Sequence, residues 1–399
     1  MSDQTPSSPI PSGMQRQQQI YMLGPKGGAL SVPVSLSLLE QKAKEILPPP
    51  AFDYVAGGAS GEYTVRANRE AFYQWRIVPR MLRDVSQRDL SVEIFGTRLP
   101  VPVILGPVGV QGILHSEAEV ASARAAASLG LPFVLSTAAS RTIEEVAHAA
   151  ESAGNGVRWF QLYWGKNHEL TASMLERAEN AGYKALVVTL DTSMLAWRER
   201  DLQHAYLPFL LGEGLANYFS DPVFRSLLPQ PPEQNPAAAI QIWSGLFSNT
   251  ALTWSDLPFL RKHTSLPILL KGILHPEDAA HALDAGVDGV IVSNHGGRQV
   301  DGAIATLDAL PAIVREINGR FPVLFDGGIR RGADVFKALA LGARAVLLGR
   351  LYTWGLAVAG EAGVRDVVLN LLADFDLTLA LSGYTSSSNL DSSALSKWH

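Results

Sequence analysis

Eight short apolar segments between residues 101 and 349 constrain the fold of this chain most strongly. They are rich in valine, isoleucine and leucine and carry few polar residues, as expected for parallel strands that are buried on both faces. The segments are 101–107, 131–137, 157–163, 184–190, 266–272, 288–294, 321–327 and 344–349. Helical, alanine-rich segments such as 117–130 and 332–343 separate most of them. This alternation predicts an α/β fold in which the strands close into a (β/α)8 TIM barrel.

A doubly wound open sheet is the alternative fold for the same alternation of strands and helices. A dinucleotide-binding sheet of that kind carries a G-x-G-x-x-G turn after an early strand. The sequence has no such turn there, which favours the barrel.

One connection is much longer than the others. The fourth predicted strand ends near Asp191 and the fifth begins near Leu266, roughly seventy residues later, whereas connections in compact domains are usually short. The insert carries many aromatic residues: Trp197, Tyr206, Phe209, Tyr218, Phe219, Phe224, Trp243, Phe247 and Trp254. This composition predicts that residues 199–255 form a packed lid rather than a disordered spacer.

The remaining boundaries follow from local composition. Residues 1–33 are rich in Gln, Pro, Ser and Gly and are predicted to be a disordered tail. The barrel domain is predicted to cover residues 34–385, followed by a C-terminal tail at 386–399. Within that domain, residues 36–80 combine a helical lead-in with a glycine-rich turn. We expect this part either to plug the bottom of the barrel or to reach its top.

Composition excludes several classes of function. The 399 residues include no cysteine, which excludes disulfides, thiolate catalysis and cysteine-ligated metal or iron–sulfur sites, and no metal site is predicted. The net charge of −5 is spread along the chain, so neither nucleic acid nor a membrane surface is an expected partner. No signal sequence is recognisable at the N-terminus, and the expected location is the cytoplasm.

Polar residues or glycines stand at the end of nearly every predicted strand, where TIM-barrel enzymes place their working residues. They are Gly109, Ser136, Gln161, Tyr163, Thr189, Asp191, Lys271, Ser293, His295, Arg298, Asp326, Gly349 and Arg350. Ser136 and Thr189 could individually be helix caps. Lysine, histidine and arginine gathered at one end of a barrel instead indicate an active site.

The last two strands predict a phosphate site. Residues 326–332, which include Gly328 and Arg330, and the pair Gly349–Arg350 combine glycines, arginines and the start of a following helix. Exposed N–H groups, a helix N-terminus and a guanidinium together bind phosphate. This pattern does not distinguish a phosphorylated substrate from a phosphorylated cofactor.

Lys271 favours a flavin as the phosphorylated ligand, because a cation stabilises the edge of the isoalloxazine ring that gains negative charge on reduction. A flavin-free aldolase or isomerase, with Lys271 as a Schiff base, is the alternative. A flavin-binding protein without catalysis is a third reading.

His295 and Arg298 together predict the chemistry of 2-hydroxy-acid oxidation. A histidine can remove a proton while a nearby arginine binds the carboxylate of the substrate. Asp191 would orient and stabilise the imidazole if it faces the ring.

Six separated motifs, in order, resemble those of the FMN-dependent L-2-hydroxy-acid dehydrogenase/oxidase family. They are FDYVAGG, FQLY, VTLDT, ILLKG, SNHGGRQ and DGGIRRG. The resemblance covers residues 36 to about 385 and implies FMN as the cofactor and a small 2-hydroxy acid with O₂ as the substrates.

The resemblance also implies individual roles. His295, paired with Asp191, would be the base; Arg298 and Tyr54 would bind the substrate carboxylate and Tyr163 its hydroxyl. Arg198 would support the active site and the substrate. The residues implied to contact FMN are Pro107, Val108 and Gly109 beside N5, then Ser136, Gln161, Thr189, Lys271 and Ser293 around the ring, Asp326 at the ribityl chain, and Gly328, Arg330, Gly349 and Arg350 at the phosphate.

The insert is most similar to that of the lactate 2-monooxygenase branch of the family, on segments 197–202, 207–210, 217–224 and 243–254. This similarity implies conversion of L-lactate and O₂ to acetate, CO₂ and water. The alternative is an oxidase that releases pyruvate and H₂O₂. Many relatives have alanine where this chain has Gly109, so the space near the flavin is expected to differ. Family resemblance further implies a homotetramer or homo-octamer.

Overall fold

The computed structural model describes residues 10–154 and 156–398. Within these ranges the strands are β1 Trp75–Ile77, β2 Val92–Ile94, β3 Thr97–Leu99, β4 Val103–Leu105, β5 Phe133–Ser136, β6 Arg158–Tyr163, β7 Leu186–Thr189, β8 Ile268–Ile273, β9 Gly289–Val292, β10 Val323–Phe325, β11 Ala345–Leu348 and β12 Leu395–Lys397.

Strands β4 to β11 form a closed parallel barrel, in which β11 returns to pair with β4. Seven of them lie inside predicted apolar segments and β8 extends one residue beyond its segment, so the prediction of a (β/α)8 barrel is confirmed. Residues such as Val134, Val187 and Ile291 are completely buried in the barrel interior, which explains why these strands lack the polar alternation of half-exposed strands.

The helices of the described residues flank the barrel and build the insert. They are α1 Gly13–Tyr21, α2 Leu36–Ile46, α3 Pro49–Ala56, α4 Tyr63–Tyr73, α5 Ala118–Ser128, α6 Ile143–Ser152, α7 His168–Asn180, α8 Glu199–Gln203, α9 Ala216–Phe219, α10 Pro222–Ser226, α11 Pro236–Phe247, α12 Leu257–His263, α13 Pro276–Asp284, α14 Thr306–Ile317, α15 Gly332–Ala340 and α16 Arg350–Leu381. No helix among them is long and apolar enough to cross a membrane.

The bottom of the barrel is closed by the antiparallel hairpin β2–β3. Its residues Val92, Ile94 and Leu99 are buried in one cluster with the side chains that fill the barrel interior. The lead-in at 36–80 therefore does not form this plug. Its glycine-rich turn lies at the opposite end, where Ala59 N donates to Gly297 O at 2.9 Å.

Helix α1 differs from the disordered tail that composition predicts for residues 1–33. Ser12 begins the helix with a capping box, Gly13 N donates to Asp376 at 2.8 Å, and Arg16 pairs with Asp366 at 3.0 Å. Composition misses this segment because its partners are polar residues of α16, more than three hundred positions away. Residues 1–9 of the predicted tail lie outside the described residues.

The predicted C-terminal tail, 386–399, is ordered in its described part. Strand β12 pairs antiparallel with β1, with Trp75 opposite Lys397, so residues 395–397 belong to the folded body.

The insert after β7 is packed. Phe209 and Trp243 lie 4.9 Å apart between ring centroids, and Trp243 and Phe247 lie 5.0 Å apart. Asn217, fully buried, joins the insert to the barrel by donating to the carbonyls of Ser136 and Thr137 at 3.2 and 3.1 Å. The insert is therefore a fixed part of the domain in this structure.

Candidate active site

His295 and Asp191 meet at the top of the barrel, as the sequence predicts. His295 Nδ1 and Asp191 Oδ1 lie 2.7 Å apart. Thr192 Oγ1 donates to the same carboxylate oxygen at 3.0 Å. Because Nδ1 faces the carboxylate, Nε2 of the imidazole is left for a ligand.

The loop after β9 holds His295 in a strained conformation. Its φ of 57° is unusual for a residue other than glycine, and its N–H donates to Ser293 Oγ at 3.0 Å. Gly297 has a φ of 79°, and a Cβ there would lie 2.6 Å from Val65 N. Gly297 is therefore required by the close approach of α4.

Burial favours the neutral form of His295, and the cations around Asp191 favour its ionised form. Burial lowers the pKa of the His295 imidazole, Asp191 opposes this shift, and Lys271 adds to it, leaving the pKa below its usual 6.5. Burial alone would raise the pKa of Asp191, but the charges of His295 and Lys271 lower it to about 2. A neutral imidazole beside a carboxylate is the state that a general base requires.

Lys271 ends the run of buried residues in β8. Its ammonium group donates to Ser293 Oγ at 2.9 Å and lies 3.2 Å from Asp326 Oδ2. Burial would lower the pKa of Lys271, but Asp326 and Asp191 raise it above its usual value. The lysine is therefore a fixed positive charge, whereas a Schiff-base lysine must lose its proton.

Arg298 lies beside Tyr54 with its guanidinium 5.2 Å from the centre of the tyrosine ring. Its Nη1 donates to the carbonyls of Tyr54 and Gly57 at 2.6 and 2.8 Å. Burial, together with the charges of Arg198 and Arg350, lowers the pKa of Arg298 to about 9. Arg298 thus stays protonated at neutral pH, and a bound anion would relieve the repulsion among the three arginines.

Tyr163 closes another side of the pocket. Its ring centroid lies 6.5 Å from that of His295 and 5.3 Å from that of Phe247 in the insert. Burial raises the pKa of Tyr163 to about 12, so its hydroxyl keeps its proton and can donate a hydrogen bond.

A single pocket surrounds most of the predicted site residues. Those that line it are Tyr54, Pro107, Val108, Gly109, Tyr163, Arg198, Lys271, His295, Arg298, Asp326, Gly328, Arg330, Gly349 and Arg350. Ser136, Gln161, Thr189, Asp191 and Ser293 are not among the lining residues of the described chain. They are largely buried at the strand ends, where Ser136 Oγ donates to Gln161 Oε1 at 2.7 Å.

The phosphate end of the pocket is more restricted than the sequence predicts. The N–H groups of Arg330 and Arg331 donate to Asp334 at 2.9 and 3.0 Å and are not free for a ligand. Arg350 donates to the carbonyls of Val55, Gly296 and Gly57, which uses three of the five N–H groups of its guanidinium. The start of α16 at Gly349–Arg350 also lines the pocket, where a helix N-terminus favours an anion.

Two residues that support this site escaped the sequence analysis. Thr192 bonds Asp191 and lies 3.3 Å from His295 Nδ1. Gln299 Nε2 donates to Asp191 O at 2.6 Å, and its Oε1 accepts from Arg198 at 3.0 Å. Both directly follow a predicted site residue in the motifs VTLDT and HGGRQ, and that adjacency is the signal that could have found them.

Known proteins share this architecture over nearly the whole chain. The family model described as FMN-dependent dehydrogenase matches residues 43–397. The chain belongs to the FMN-dependent dehydrogenase family. Among its relatives are an L-lactate oxidase of Lysinibacillus sphaericus (46% identity, 92% of this chain and 93% of the relative) and human 2-hydroxyacid oxidase 1 (43% identity, 86% and 91%). The solved structure of a mandelate oxidase is similar with a TM-score of 0.80 at 38% identity, covering 92% of this chain and 98% of that one.

FMN is the cofactor of this family, and the pocket of this FMN-dependent dehydrogenase fits it. Gln161 Nε2, at the carboxyl end of β6, is buried and has no hydrogen-bond partner within residues 10–154 and 156–398. A buried donor without a partner is costly, and the polar edge of a flavin can accept its hydrogen bond. Lys271 supplies the fixed cation, and at the opposite end of the pocket a Cβ on Gly349 would meet no atom within 4 Å, so this glycine lines open space.

Proposed function

We propose that this FMN-dependent oxidoreductase oxidises a small L-2-hydroxy acid, with L-lactate as the preferred substrate and O₂ as the final oxidant. The observation that carries the proposal is the imidazole of His295, 2.7 Å from Asp191 through Nδ1, in a pocket that it shares with Arg298 and Tyr54. Relatives named L-lactate oxidase and 2-hydroxyacid oxidase support the substrate class.

In the proposed reaction, Arg298 and Tyr54 bind the carboxylate of the substrate, and Arg198 stabilises this arrangement. Arg198 Nε donates to Arg298 O at 3.2 Å, so the two arginines are coupled through the backbone. The Tyr163 hydroxyl donates to the hydroxyl oxygen of the substrate. These contacts bring the substrate to Nε2 of His295.

His295 then takes a proton from the substrate, and Asp191 stabilises the imidazolium that forms. Bound FMN would accept two electrons from the substrate and pass them to O₂. Lys271 would stabilise the negative charge on the reduced ring. Among the residues proposed to hold FMN, Gln161, Ser136, Thr189 and Ser293 would contact the ring, Asp326 the ribityl chain, and Gly328, Arg330, Gly349 and Arg350 the phosphate.

The lining of the pocket favours a substrate with a small apolar side chain. Val110, Ala138, Phe209 and Phe247 supply apolar side chains to it, and two of these belong to the insert. We expect the methyl group of lactate to contact these side chains.

For the product we propose acetate, CO₂ and water, the lactate 2-monooxygenase outcome. The packed insert and the aromatic contact of its Phe247 with Tyr163 favour retention of pyruvate until H₂O₂ attacks it. A change of about 1.4 kcal/mol in one barrier alters tenfold the ratio between release of pyruvate and its reaction with H₂O₂. A packed insert that slows release by this amount would therefore change the main product. Release of pyruvate and H₂O₂ is the second candidate, because relatives at 46% and 44% identity are named L-lactate oxidase.

The test is the product stoichiometry from L-lactate in air, with catalase present to destroy free H₂O₂. The monooxygenase outcome predicts about one acetate per O₂ consumed, whereas pyruvate as the main product would assign the oxidase outcome instead. Parallel assays with glycolate, 2-hydroxybutyrate and mandelate test the substrate preference. A purified protein that binds FMN but is not bleached by any of these acids without O₂ would contradict the proposal as a whole.

A further inference from the structure

A buried polar network lies behind the pocket wall formed by residues 106–110. At its centre is Glu119 in the first turn of α5, which is completely buried. Its carboxylate accepts from Gln111 N at 3.0 Å and from Ser140 N at 3.1 Å. One carboxylate thus joins the loop after β4 to the loop after β5.

Gln111, also completely buried, extends the network to the wall itself. Its Nε2 donates to Val108 O at 2.9 Å and to the Tyr352 hydroxyl at 3.2 Å. Tyr352 in turn donates to Gly106 O at 2.9 Å, and Ser122 donates to Gln111 Oε1 at 2.7 Å. None of Glu119, Gln111 and Tyr352 is among the described residues that line the pocket.

The wall that this network holds has a strained backbone and lies very close to the loop after β5. Val110 has a φ of 57°, a conformation that a β-branched residue rarely adopts and that persists only where the surroundings impose it. Its N–H donates to Ala138 O at 2.8 Å. A Cβ on Gly109 would lie 2.6 Å from the same carbonyl oxygen, so the two loops approach more closely than an alanine at 109 would permit.

We propose that Glu119, Gln111 and Tyr352 are positioning residues that fix the wall at 106–110 relative to bound FMN and thereby control how fast FMN is reduced. The proposal rests on the proposed function and on the placement of residues 107–109 beside the flavin, which the family resemblance implies. The physical argument is that the network bonds Gly106 O, Val108 O and Gln111 N from behind. The conformation of the wall is thus set before any ligand arrives.

Two buried tyrosines provide a matched test. Tyr352 and Tyr183 are both fully buried, and each donates to one backbone carbonyl, Gly106 O at 2.9 Å and Ile143 O at 3.0 Å. Both substitutions remove a hydrogen bond from a buried tyrosine to a backbone carbonyl, and Tyr352→Phe also removes the bond accepted from Gln111 Nε2. Only Tyr352 lies behind the wall. For the wild type and both variants we would measure the Tm, the visible absorption of bound FMN, the Kd for FMN, and the rate of anaerobic flavin reduction by L-lactate.

We expect both variants to lower Tm, Tyr352→Phe somewhat more because it removes one more buried hydrogen bond. Only Tyr352→Phe should shift the absorption bands of bound FMN and slow flavin reduction at saturating L-lactate, by about tenfold if the wall moves by a fraction of an ångström. The KM should stay within about twofold of the wild-type value, because no side chain proposed to bind substrate is altered. Glu119→Gln places a side-chain NH₂ group, which can only donate, beside backbone N–H groups that also donate. We expect it to change the flavin absorption and the reduction rate at least as strongly as Tyr352→Phe does.

Equal flavin spectra, FMN affinities and reduction rates in Tyr352→Phe and Tyr183→Phe would overturn the proposal. If Glu119→Gln does not fold, the tyrosine pair still decides. The proposed function can fail separately. A wild type that binds FMN but is not reduced by any 2-hydroxy acid would contradict that function, whereas the spectra and FMN affinities of the two tyrosine variants would still test the wall.

Discussion

At the scale of single residues, Asp191 has the most specific task, because it is the carboxylate on the imidazole of His295. In Asp191→Asn the ring loses both its orientation and the charge that stabilises the imidazolium. General-base catalysis contributes roughly 10²–10⁴-fold, and we expect a loss within that range in kcat/KM for L-lactate. The measurement is anaerobic bleaching of the flavin. Thr192→Val, which removes only the hydroxyl on the same carboxylate, should cost much less.

The pH dependence of kcat/KM tests the role of Asp191 through the direction in which the pKa of His295 shifts. The pKa of His295 is lowered below its usual 6.5 by burial and Lys271, against the opposing effect of Asp191. The base is active when unprotonated, so kcat/KM should be constant near neutrality and fall only as the pH drops below 6.5. Loss of the Asp191 charge removes the contribution that raises this pKa. The acid limb of Asp191→Asn should therefore move to lower pH, and a shift to higher pH would contradict the assignment.

Much of this site could be predicted from the sequence because its residues follow strand ends. His295, Lys271 and Asp326 lie at or directly after the ends of apolar segments, and parallel strands of a barrel bring such positions together. The network of Glu119 could not be predicted in this way. Glu119 and Gln111 are polar residues outside the strands, and only the tertiary structure shows that both are completely buried.

At the scale of elements, helix α8 of the insert is joined to helix α3, which carries Tyr54, by a cluster of charges. Arg200 bonds Asp53 at 3.1 Å and Glu62 at 2.7 Å, and His204 lies 2.9 Å from Asp53. This cluster connects two parts of the chain that both border the pocket. A network of several partly buried charges stabilises the contact between two elements more than a single exposed ion pair does.

We predict that Arg200→Gln speeds the release of the keto acid. With L-lactate in air, the ratio of pyruvate to acetate should rise about fivefold, equivalent to ~1 kcal/mol in one barrier. The matched control is Arg225→Gln, which breaks a two-bond pair with Glu233, at 2.7 and 3.1 Å, inside the insert. Equal product ratios in the two variants would contradict the prediction. If the wild type already releases pyruvate, the inhibition constant for pyruvate replaces the product ratio as the measurement.

The elements themselves were predictable to different degrees. The eight barrel strands are visible in the sequence because full burial selects continuous apolar segments. Helix α1 is not visible in the sequence, because most of its residues are polar and its stability depends on bonds to Asp366 and Asp376 of α16. Local patterns do not report partners so distant in the chain.

At the scale of the whole molecule, an apolar patch on the surface supports the predicted homotetramer or homo-octamer. Met81 is 70% exposed, Leu82 fully exposed and Leu381 74% exposed. The bond between Arg80 N and Ser382 O, 3.1 Å long, brings the two segments together. Exposed apolar clusters of this kind mark interaction surfaces.

Light scattering on the purified protein tests this prediction. The wild type should have a mass of four or eight chains, and the double variant Leu82→Ser/Leu381→Ser should shift toward smaller species. Leu211→Ser, which replaces an equally exposed leucine of the insert (69%), is the control and should leave the mass unchanged. A monomeric wild type would exclude a role of the patch in assembly.

The plug at the bottom of the barrel has a practical consequence. Because β2–β3 fills that end with Val92, Ile94 and Leu99, everything that reacts enters and leaves at the opposite face. The hairpin can therefore carry an attachment without obstructing the reaction. The chain has no cysteine, so Arg98→Cys, at an exposed position of β3, would create a single thiol. Coupling through it to an electrode or bead should hold the protein with its pocket facing the solution.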